Sequence, residues 1–347
     1  MVGAVVVHAG AVVGEGWHLR AGEPHAEVHA LRAAAARAAG ATLYVTLEPC
    51  CTHGRTPPCT DAILAAGIAR AVVGSLDPNP AHCGRGIELL RAHGLAVDVI
   101  DDRACALLNE KFFHFMRTGL PFVHAKWAMT LDGKIATRSG DARWISGTAS
   151  RAQAHRLRAE YDAVLVGIGT VLRDDPRLDV RLDGTWRQPR KIVLDQHART
   201  PGTAALLHGA PAIIACGAAA PAAAVSALAQ SGAQIMPCPA DEHGLALRAL
   251  LTCLAQQGIT SVLVEGGAHV LGSFFDAGLV NRATIFVAPK LCGGAAAPSA
   301  LAGRGVARMA DALQLQDVAW HTAGDDLMVT AICTKPAVSP AAHKEPQ

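Results

Sequence analysis

Near the start of the chain, His25-Ala26-Glu27, Pro49-Cys50 and Pro58-Cys59 supply one imidazole, two thiols and one carboxylate. A catalytic zinc site needs three protein ligands and one position left open for water. His25, Cys50 and Cys59 are the candidate ligands. Zinc lowers the pKa of the water it binds, and a carboxylate that does not ligate the metal can then carry the proton to a departing amine. Glu27 is that carboxylate, and the reaction the set points to is hydrolytic deamination. A lone Cys or His is more often a core residue; the combination carries the signal. His29 lies four residues after His25, but the zinc-protease motif sets Glu directly after its first His, and here Glu is second. Cys51 is a possible substitute ligand and reads as a bystander.

These side chains need elements to hold them. Pro24 suits the first turn of a helix from about His25 to Ala39, and Pro58 the start of another from Cys59 to Ala66. Two helix N-termini would then face the metal and favour thiolate over thiol. His25 and Glu27, two apart, do not share a helix face, so both belong to the first turn looking over the helix end. Apolar runs at Gly3–His8, Ala11–Gly16, Thr42–Leu47, Ala71–Gly74 and Ala96–Ile100 read as strands, with helical stretches between most of them. This is an α/β layered domain that ends near Met116, followed by a linker at Gly119-Leu120-Pro121. Eight residues separate Cys50 from Cys59, and this polar loop is expected to touch substrate.

Composition narrows the class. A chain of 347 residues exceeds what one core usually supports. A net charge of +2 with scattered basic residues and only 4% aromatics offers no nucleic-acid platform. The apolar run Val2–Val7 lacks a basic leader and reads as a strand, and ten cysteines without a small disulfide framework fit a reducing compartment, so the location expected is cytoplasmic. Gly209–Ala229 is uncharged but broken by prolines and glycine, so it reads as a buried strand at Ala212–Cys216, a loop and a helix, not a membrane span. A homodimer is the default for a soluble enzyme.

The second half repeats the α/β pattern without being a repeat of the first. Strands fit Phe122–Met129, followed by a tight turn at Leu131-Asp132-Gly133-Lys134, and then Ala163–Gly167, Lys191–Leu194, Ala212–Cys216, Ser261–Glu265, Arg282–Ala288 and Leu327–Cys333. Gly167-Ile168-Gly169 ends an apolar strand, but Thr170–Pro176, with paired acids and a proline, argues against the helix a Rossmann fingerprint requires. Gly266-Gly267 follows another buried strand; such a pair lets a backbone approach a ligand, or simply turns the chain. From Lys335 onward the composition suggests a disordered tail.

Taken together, LEPCCTHGRTPPC, GEPHAEVHAL and SLDPNP resemble the bifunctional riboflavin-biosynthesis deaminase/reductase family, over nearly the whole chain. The resemblance implies an α/β protein with a cytidine-deaminase-like three-layer domain at 1–118, a dihydrofolate-reductase-like domain at 119–335 and a tail at 336–347. It implies one zinc per chain on His25, Cys50 and Cys59, with Glu27 as proton shuttle. The implied substrate is a diaminopyrimidinone carrying a ribose 5-phosphate, a small phosphorylated pyrimidine that loses its 2-amino group. NADPH would then reduce the ribosyl to a ribityl side chain. Matching the family motifs puts Ala128, Trp144, Thr170 and Asp174 at the NADPH site with Gly267, Ala268, His269, Val270, Leu271, Gly272 and Ser273. Arg158, Leu178, Arg181 and Glu265 fall on the substrate side, where arginines can hold a phosphate. Lys126 and Asp132 are candidates without an assigned role. Family members carry a helix and a Pro-Asn-Pro turn ahead of the strand that opens here at Met1; the expectation is either a start further upstream or a deaminase pocket lacking one wall. The alternative function is a reductase alone, its zinc domain a structural or oligomerisation module.

Overall fold

The computed structural model describes residues 1–334 apart from 21, 210 and 243. The tail expected at 336–347 lies outside them. The described residues form two compact units, divided between Gly119 and Leu120.

In the first unit the elements run β1 (Gly3–His8), β2 (Ala11–Trp17), α1 (Ala26–Ala34), β3 (Thr42–Val45), α2 (Cys59–Ala65), β4 (Arg70–Val73), α3 (Arg85–Ala92), β5 (Ala96–Val99), α4 (Arg103–Leu108) and α5 (Glu110–Thr118). The sheet order is β2-β1-β3-β4-β5, with β1 antiparallel to both β2 and β3, and β3, β4 and β5 parallel. Alternate residues Ala4, Val6, Leu43, Val45, Ala71, Val73 and Val97 build one buried face against Ala30, Ala34, Ile63, Ile87 and Leu90 of α1 to α3. Period-two side chains meeting period-3.6 side chains produce this layer. α1 lies unusually close to β2: a Cβ on Gly14 would come within 2.2 Å of Ala30 O, and one on Gly16 within 2.4 Å of Ala26 O. Glycine at both positions is what lets α1 settle onto the sheet.

Three local expectations change. Pro24 precedes the helix: His25 is the N-cap (φ −75°, ψ 168°), so His25 caps α1 while Glu27 sits in its first turn. Pro58 is likewise the N-cap of α2, with ψ at 139°. The fixed φ of proline suits an extended cap as well as a first turn. The helix expected to reach Ala39 breaks at Ala35 (φ 50°) and continues as a 3₁₀ turn over Ala35–Ala38. Local alanine propensity favours helix there. The tertiary hydrogen bond from Gly40 N–H to Gly67 O, 2.8 Å long, and the start of β3 decide otherwise.

The second unit contains β6 (Phe122–Thr130), α6 (Thr148–Glu160), β7 (Ala163–Gly167), α7 (Ile168–Asp174), β8 (Arg190–Leu194), β9 (Ala212–Cys216), α8 (Ala222–Gln230), β10 (Gln234–Pro237), β11 (Ala240–Asp241), β12 (Gly244–Leu245), α9 (Leu247–Gln256), β13 (Ser261–Val264), α10 (Ala268–Asp276), β14 (Arg282–Ala288), β15 (Gln314–Ala323) and β16 (Asp326–Thr334). The sheet order is β10-β9-β8-β7-β13-β6-β14-β16-β15; only the β14/β16 and β16/β15 pairs are antiparallel, and β11 and β12 pair separately. Val123, Ala125, Leu165, Ile192 and Val264 join one core, and their neighbours Phe122, Val164, Val166, Val193 and Leu263 the other. A parallel sheet covered on both faces needs such continuous apolar strands.

Residues 168–174 are helical, against the sequence expectation. The proline lies beyond the cap: Asp175 turns left-handed (φ 42°) at the C-cap and Pro176 follows. A proline in that place is a stop signal rather than a break inside the helix. The uncharged Gly209–Ala229 stretch becomes β9, a loop and the start of α8, and among the described residues no helix is long and apolar enough to cross a membrane. β10 and β15, at the two edges of this sheet, carry no sustained apolar run or alternation that would mark them as strands in the sequence. β15 is exposed along nearly its whole length and shows no burial alternation.

Candidate active sites

The N-terminus of α1 and that of α2 converge with the segment after β3. His25 Nδ1 lies 3.4 Å from Cys50 Sγ and 3.2 Å from Cys59 Sγ, and the three ligand atoms all fall within 4.8 Å of one another. Zn–N bonds of about 2.0 Å and Zn–S bonds of about 2.3 Å in a tetrahedron hold their donors at such separations. Among the described residues no fourth His, Cys or carboxylate joins this group. Cys51 stays outside it. The Cys59 N–H donates to Cys50 Sγ at 3.3 Å. This is the contribution of a helix first turn to a thiolate. Hydrogen bonds from Cys59 and His25 hold the Cys50 thiol down at about 4 against burial. Beside that thiolate, hydrogen bonding to Cys50 and burial push the Cys59 thiol up, so a second negative sulfur calls for a cation. His25 Nε2 faces Thr56 Oγ1 at 3.4 Å. Such an outer partner fixes the ring of a ligating histidine.

Glu27 is 3% exposed, and its Oε2 has no hydrogen-bond partner. Burial pushes its pKa above the usual carboxylate value. A buried, orphaned carboxyl oxygen costs about 1–3 kcal/mol, a cost a proton-shuttling role accounts for. The donor set and this orphaned oxygen fit zinc. A cavity of about 290 Å³ opens beside the cluster, lined by His18, His25, Cys50, Thr52, Arg55 and Thr56 among others, so the polar loop between the cysteines forms its wall.

One carboxylate here went unread in the sequence. Glu48, 5% exposed, accepts hydrogen bonds from the N–H groups of Asp77 (3.1 Å), Gly84 (2.9 Å) and Gly86 (3.0 Å). It ties the loop carrying SLDPNP down beside Pro49-Cys50. Its signal in the sequence is only a charged residue at the end of an apolar strand.

In the second unit Glu265, at the end of β13, is the centre of a buried charge cluster. Arg158 of α6 meets it in bidentate fashion, Nε to Oε1 at 2.7 Å and Nη2 to Oε2 at 3.0 Å, and Lys126 Nζ of β6 lies 3.4 Å from Oε2. Burial would raise the pKa of Glu265; Arg158 and Lys126 overcome it and hold the carboxyl at about 2. Arg158 Nη1 also donates to Asp179 O (3.1 Å), and Arg181 pairs with the Asp179 carboxylate. Leu178 is buried in the core with Tyr161 and Val164. Asp132, which had no role, accepts from Thr130 Oγ1 and from the N–H groups of Cys292 (3.0 Å) and Gly293 (2.7 Å), stapling two loops together.

A cleft of about 730 Å³ lies over the ends of β7, β8 and β13. Thr170, Asp174, Gly267, Ala268, His269 and Val270 line it. Ser273 lines the cavity adjoining it. Leu271 faces the hydrophobic core instead, and a Cβ on Gly272 would come within 1.1 Å of Ala302 O, so that glycine serves helix packing. Trp144, 64% exposed, lines a smaller pocket with Lys290 and Cys292, the Arg151 guanidinium 4.7 Å from its ring. Ala128 is half-buried on β6, paired with Phe286 of β14.

Known proteins resemble this chain in sequence and fold. Residues 1–75 match the cytidine and deoxycytidylate deaminase zinc-binding region, and residues 121–329 match the RibD C-terminal domain. The riboflavin biosynthesis protein RibD of Aquifex aeolicus is 43% identical over 94% of this chain and 90% of its own length. The chain belongs to the RibD family. RibD of Acinetobacter baumannii superposes with a TM-score of 0.85 at 36% identity, covering 96% of this chain and 92% of that one. A Thermotoga maritima protein described as a diaminohydroxyphosphoribosylaminopyrimidine deaminase/5-amino-6-(5-phosphoribosylamino)uracil reductase gives 0.81 at 34% identity over the same shares. As in other RibD chains, a deaminase zinc-binding domain precedes a reductase domain, and the sequence resemblance had named this family.

Proposed function

We propose that the first unit hydrolyses the 2-amino group of 2,5-diamino-6-(5-phosphoribosylamino)pyrimidin-4(3H)-one and that the second reduces the ribosyl side chain of the product with NADPH. The observation that carries the reading is the orphaned Glu27 Oε2 buried against three converging zinc-ligand atoms. A zinc ion on His25, Cys50 and Cys59 supplies the Lewis acidity that makes water nucleophilic at neutral pH. Glu27 takes a proton from the attacking water and gives one to the departing ammonia. Arg55, a cation in the wall of the adjoining cavity, suits the ribose phosphate. A structural zinc module is not favoured, because structural sites close the fourth position with a protein ligand.

NADPH supplies the hydride for C1 of the ring-opened sugar; the protein orients it and excludes water. The Gly266-Gly267 turn and the N-terminus of α10 suit the cofactor pyrophosphate. Thr170, Asp174, Ala268, His269 and Val270 line its cleft, Ser273 the cavity adjoining it, and Ala128 and Trp144 complete the set proposed for the cofactor. Glu265, Arg158 and Lys126 form the charged wall on the substrate side. The Arg158 fork is committed to Glu265, so Arg158 acts by fixing that carboxylate, and Arg181, paired with the Asp179 carboxylate but half exposed, is the arginine on the solvent side that suits the phosphate. Leu178 contributes through backbone placement. A cytoplasmic homodimer completes the reading.

The test uses zinc-replete protein. It should release ammonia from the diaminopyrimidinone phosphate and then consume NADPH, and NADPH should raise its melting temperature because a ligand bound only by the native state stabilises it. Absence of ammonia release would overturn the deaminase half; absence of both NADPH consumption and thermal protection would overturn the reductase half.

A further inference from the structure

The helix α6 begins without the means to cap itself. Its N-cap is Gly147, which has no side chain, and its first turn, Thr148-Ala149-Ser150, holds no acid. A helix start leaves backbone N–H groups unpaired and favours a negative charge beside them. In a capping box the third helical residue reaches back to the N-cap N–H with a glutamate or glutamine side chain. Ser150 holds that position and carries only a short hydroxyl. The acceptor comes from the far end of the chain instead. Asp326, the first residue of β16 and 4% exposed, takes the Gly147 N–H and the Ser150 hydroxyl on one oxygen, Oδ2, both at 2.6 Å. One carboxylate thus completes the box from 179 and 176 residues away.

The hairpin behind Asp326 seats this contact. Gly324, with φ at 66°, turns β15 into β16, and a Cβ there would lie 3.3 Å from Ala149 Cβ, so the turn packs directly on the first turn of α6. Ser150 is buried beneath it, where water does not compete for its hydrogen bond. At the other end of the same helix Arg158 forks onto Glu265 at 2.7 and 3.0 Å. Lys126 reaches that carboxylate only at 3.4 Å, so the guanidinium is its nearer holder. At 1.5 Å of rise per residue, Ser150 and Arg158 stand about 12 Å apart along one stiff rod. The point at which α6 is pinned therefore sets how far Arg158 reaches and where it holds Glu265.

We propose that Asp326 is a positioning residue of the second unit: it fixes the axial position of α6 and, through Arg158, the place of the Glu265 carboxylate against the substrate. The inference rests on the reading of the second unit as the reductase with Glu265 on its substrate side. Loss of the pin shifts a group that holds the substrate before and during reaction alike. Such a loss raises KM with little change in kcat.

Steady-state reduction of the deaminated substrate by the zinc-replete full chain tests it, with Asp326→Ala, Asp326→Asn and Ser150→Ala. Asp326→Ala should raise KM for the ribosyl substrate about tenfold while kcat stays within about threefold and KM for NADPH within about twofold. Asp326→Asn keeps an oxygen that accepts both bonds, and because Asn and Asp cap helices about equally well it should bring KM back to within about threefold of the unmodified chain. Ser150→Ala removes one of the two bonds and should give an intermediate KM; it carries the test if Asp326→Ala does not fold. A melting temperature that falls in Asp326→Ala with KM unchanged, equal loss in the Ala and Asn variants, or an unchanged KM in Ser150→Ala would overturn the inference and leave the reductase reading standing. An unmodified chain that reduces no substrate would overturn both.

Discussion

Arg158 and Glu265 face one another as a bidentate pair, 107 residues apart in sequence, with both side chains nearly sealed from solvent (13% and 8% exposed). Breaking such a buried pair leaves an uncompensated charge, at a cost of about 3–5 kcal/mol. Arg158→Ala should therefore lower the unfolding free energy of the second unit by an amount of this order and remove NADPH consumption. Glu265→Gln, which keeps volume, should lose activity with a smaller loss of stability. Urea unfolding of both variants checks the ranking.

The same carboxylate gives a pH dependence of known sign. Glu265 is held at about 2, below its ordinary value. Between that ordinary value and the folded one, the unfolded chain therefore binds more protons than the folded one. Its stabilisation is complete above about pH 4.5 and is lost as pH falls toward about 2. Unfolding midpoints at pH 7, 4.5 and 3 should fall more steeply for the unmodified chain than for Glu265→Gln.

Glu27→Gln keeps the shape and removes the proton carrier. General acid–base catalysis contributes about 10²–10⁴-fold, so ammonia release should fall by that factor while zinc stays at one per chain and NADPH consumption on the deaminated substrate is unchanged. Metal analysis beside the two activity assays checks all three.

Glu48→Ala removes the acceptor for three backbone N–H groups. The loop from Asp77 to Gly86 should loosen, with hydrogen exchange rising at the amides of Asp77, Gly84 and Gly86, and kcat/KM for deamination falling while zinc is retained. Each lost bond to a charged acceptor costs about 1.5–3 kcal/mol. Unchanged exchange at these amides would remove the tethering role.

Gly16→Ala lies outside the site and should still damage it. A Cβ there would sit 2.4 Å from Ala26 O, next to His25 and Glu27, so α1 must move off the sheet. Zinc affinity and ammonia release should both drop, and the reductase should be spared.

Some of this protein is written locally. The candidate metal ligands His25, Cys50 and Cys59 and the proposed shuttle Glu27 are recognisable because zinc chemistry fixes residue type. The apolar runs at Gly3–His8, Ala163–Gly167, Ala212–Cys216 and Arg282–Ala288 match their strands end to end because buried strands must be continuously or alternately apolar. Position relative to the helix was less legible. Proline's φ fits both a first turn and a cap, so only the fold could set His25 as the cap of α1, and only the placement of Pro176 past a left-handed Asp175 could show that residues 168–174 are helical. β15, exposed along nearly its whole length, leaves no burial pattern to read. The tertiary structure alone decided which charges meet: Glu48 with the loop that follows β4, and Glu265 with Arg158 and Lys126. Such pairings depend on which strands lie side by side, and neither residue type nor spacing along the chain encodes that.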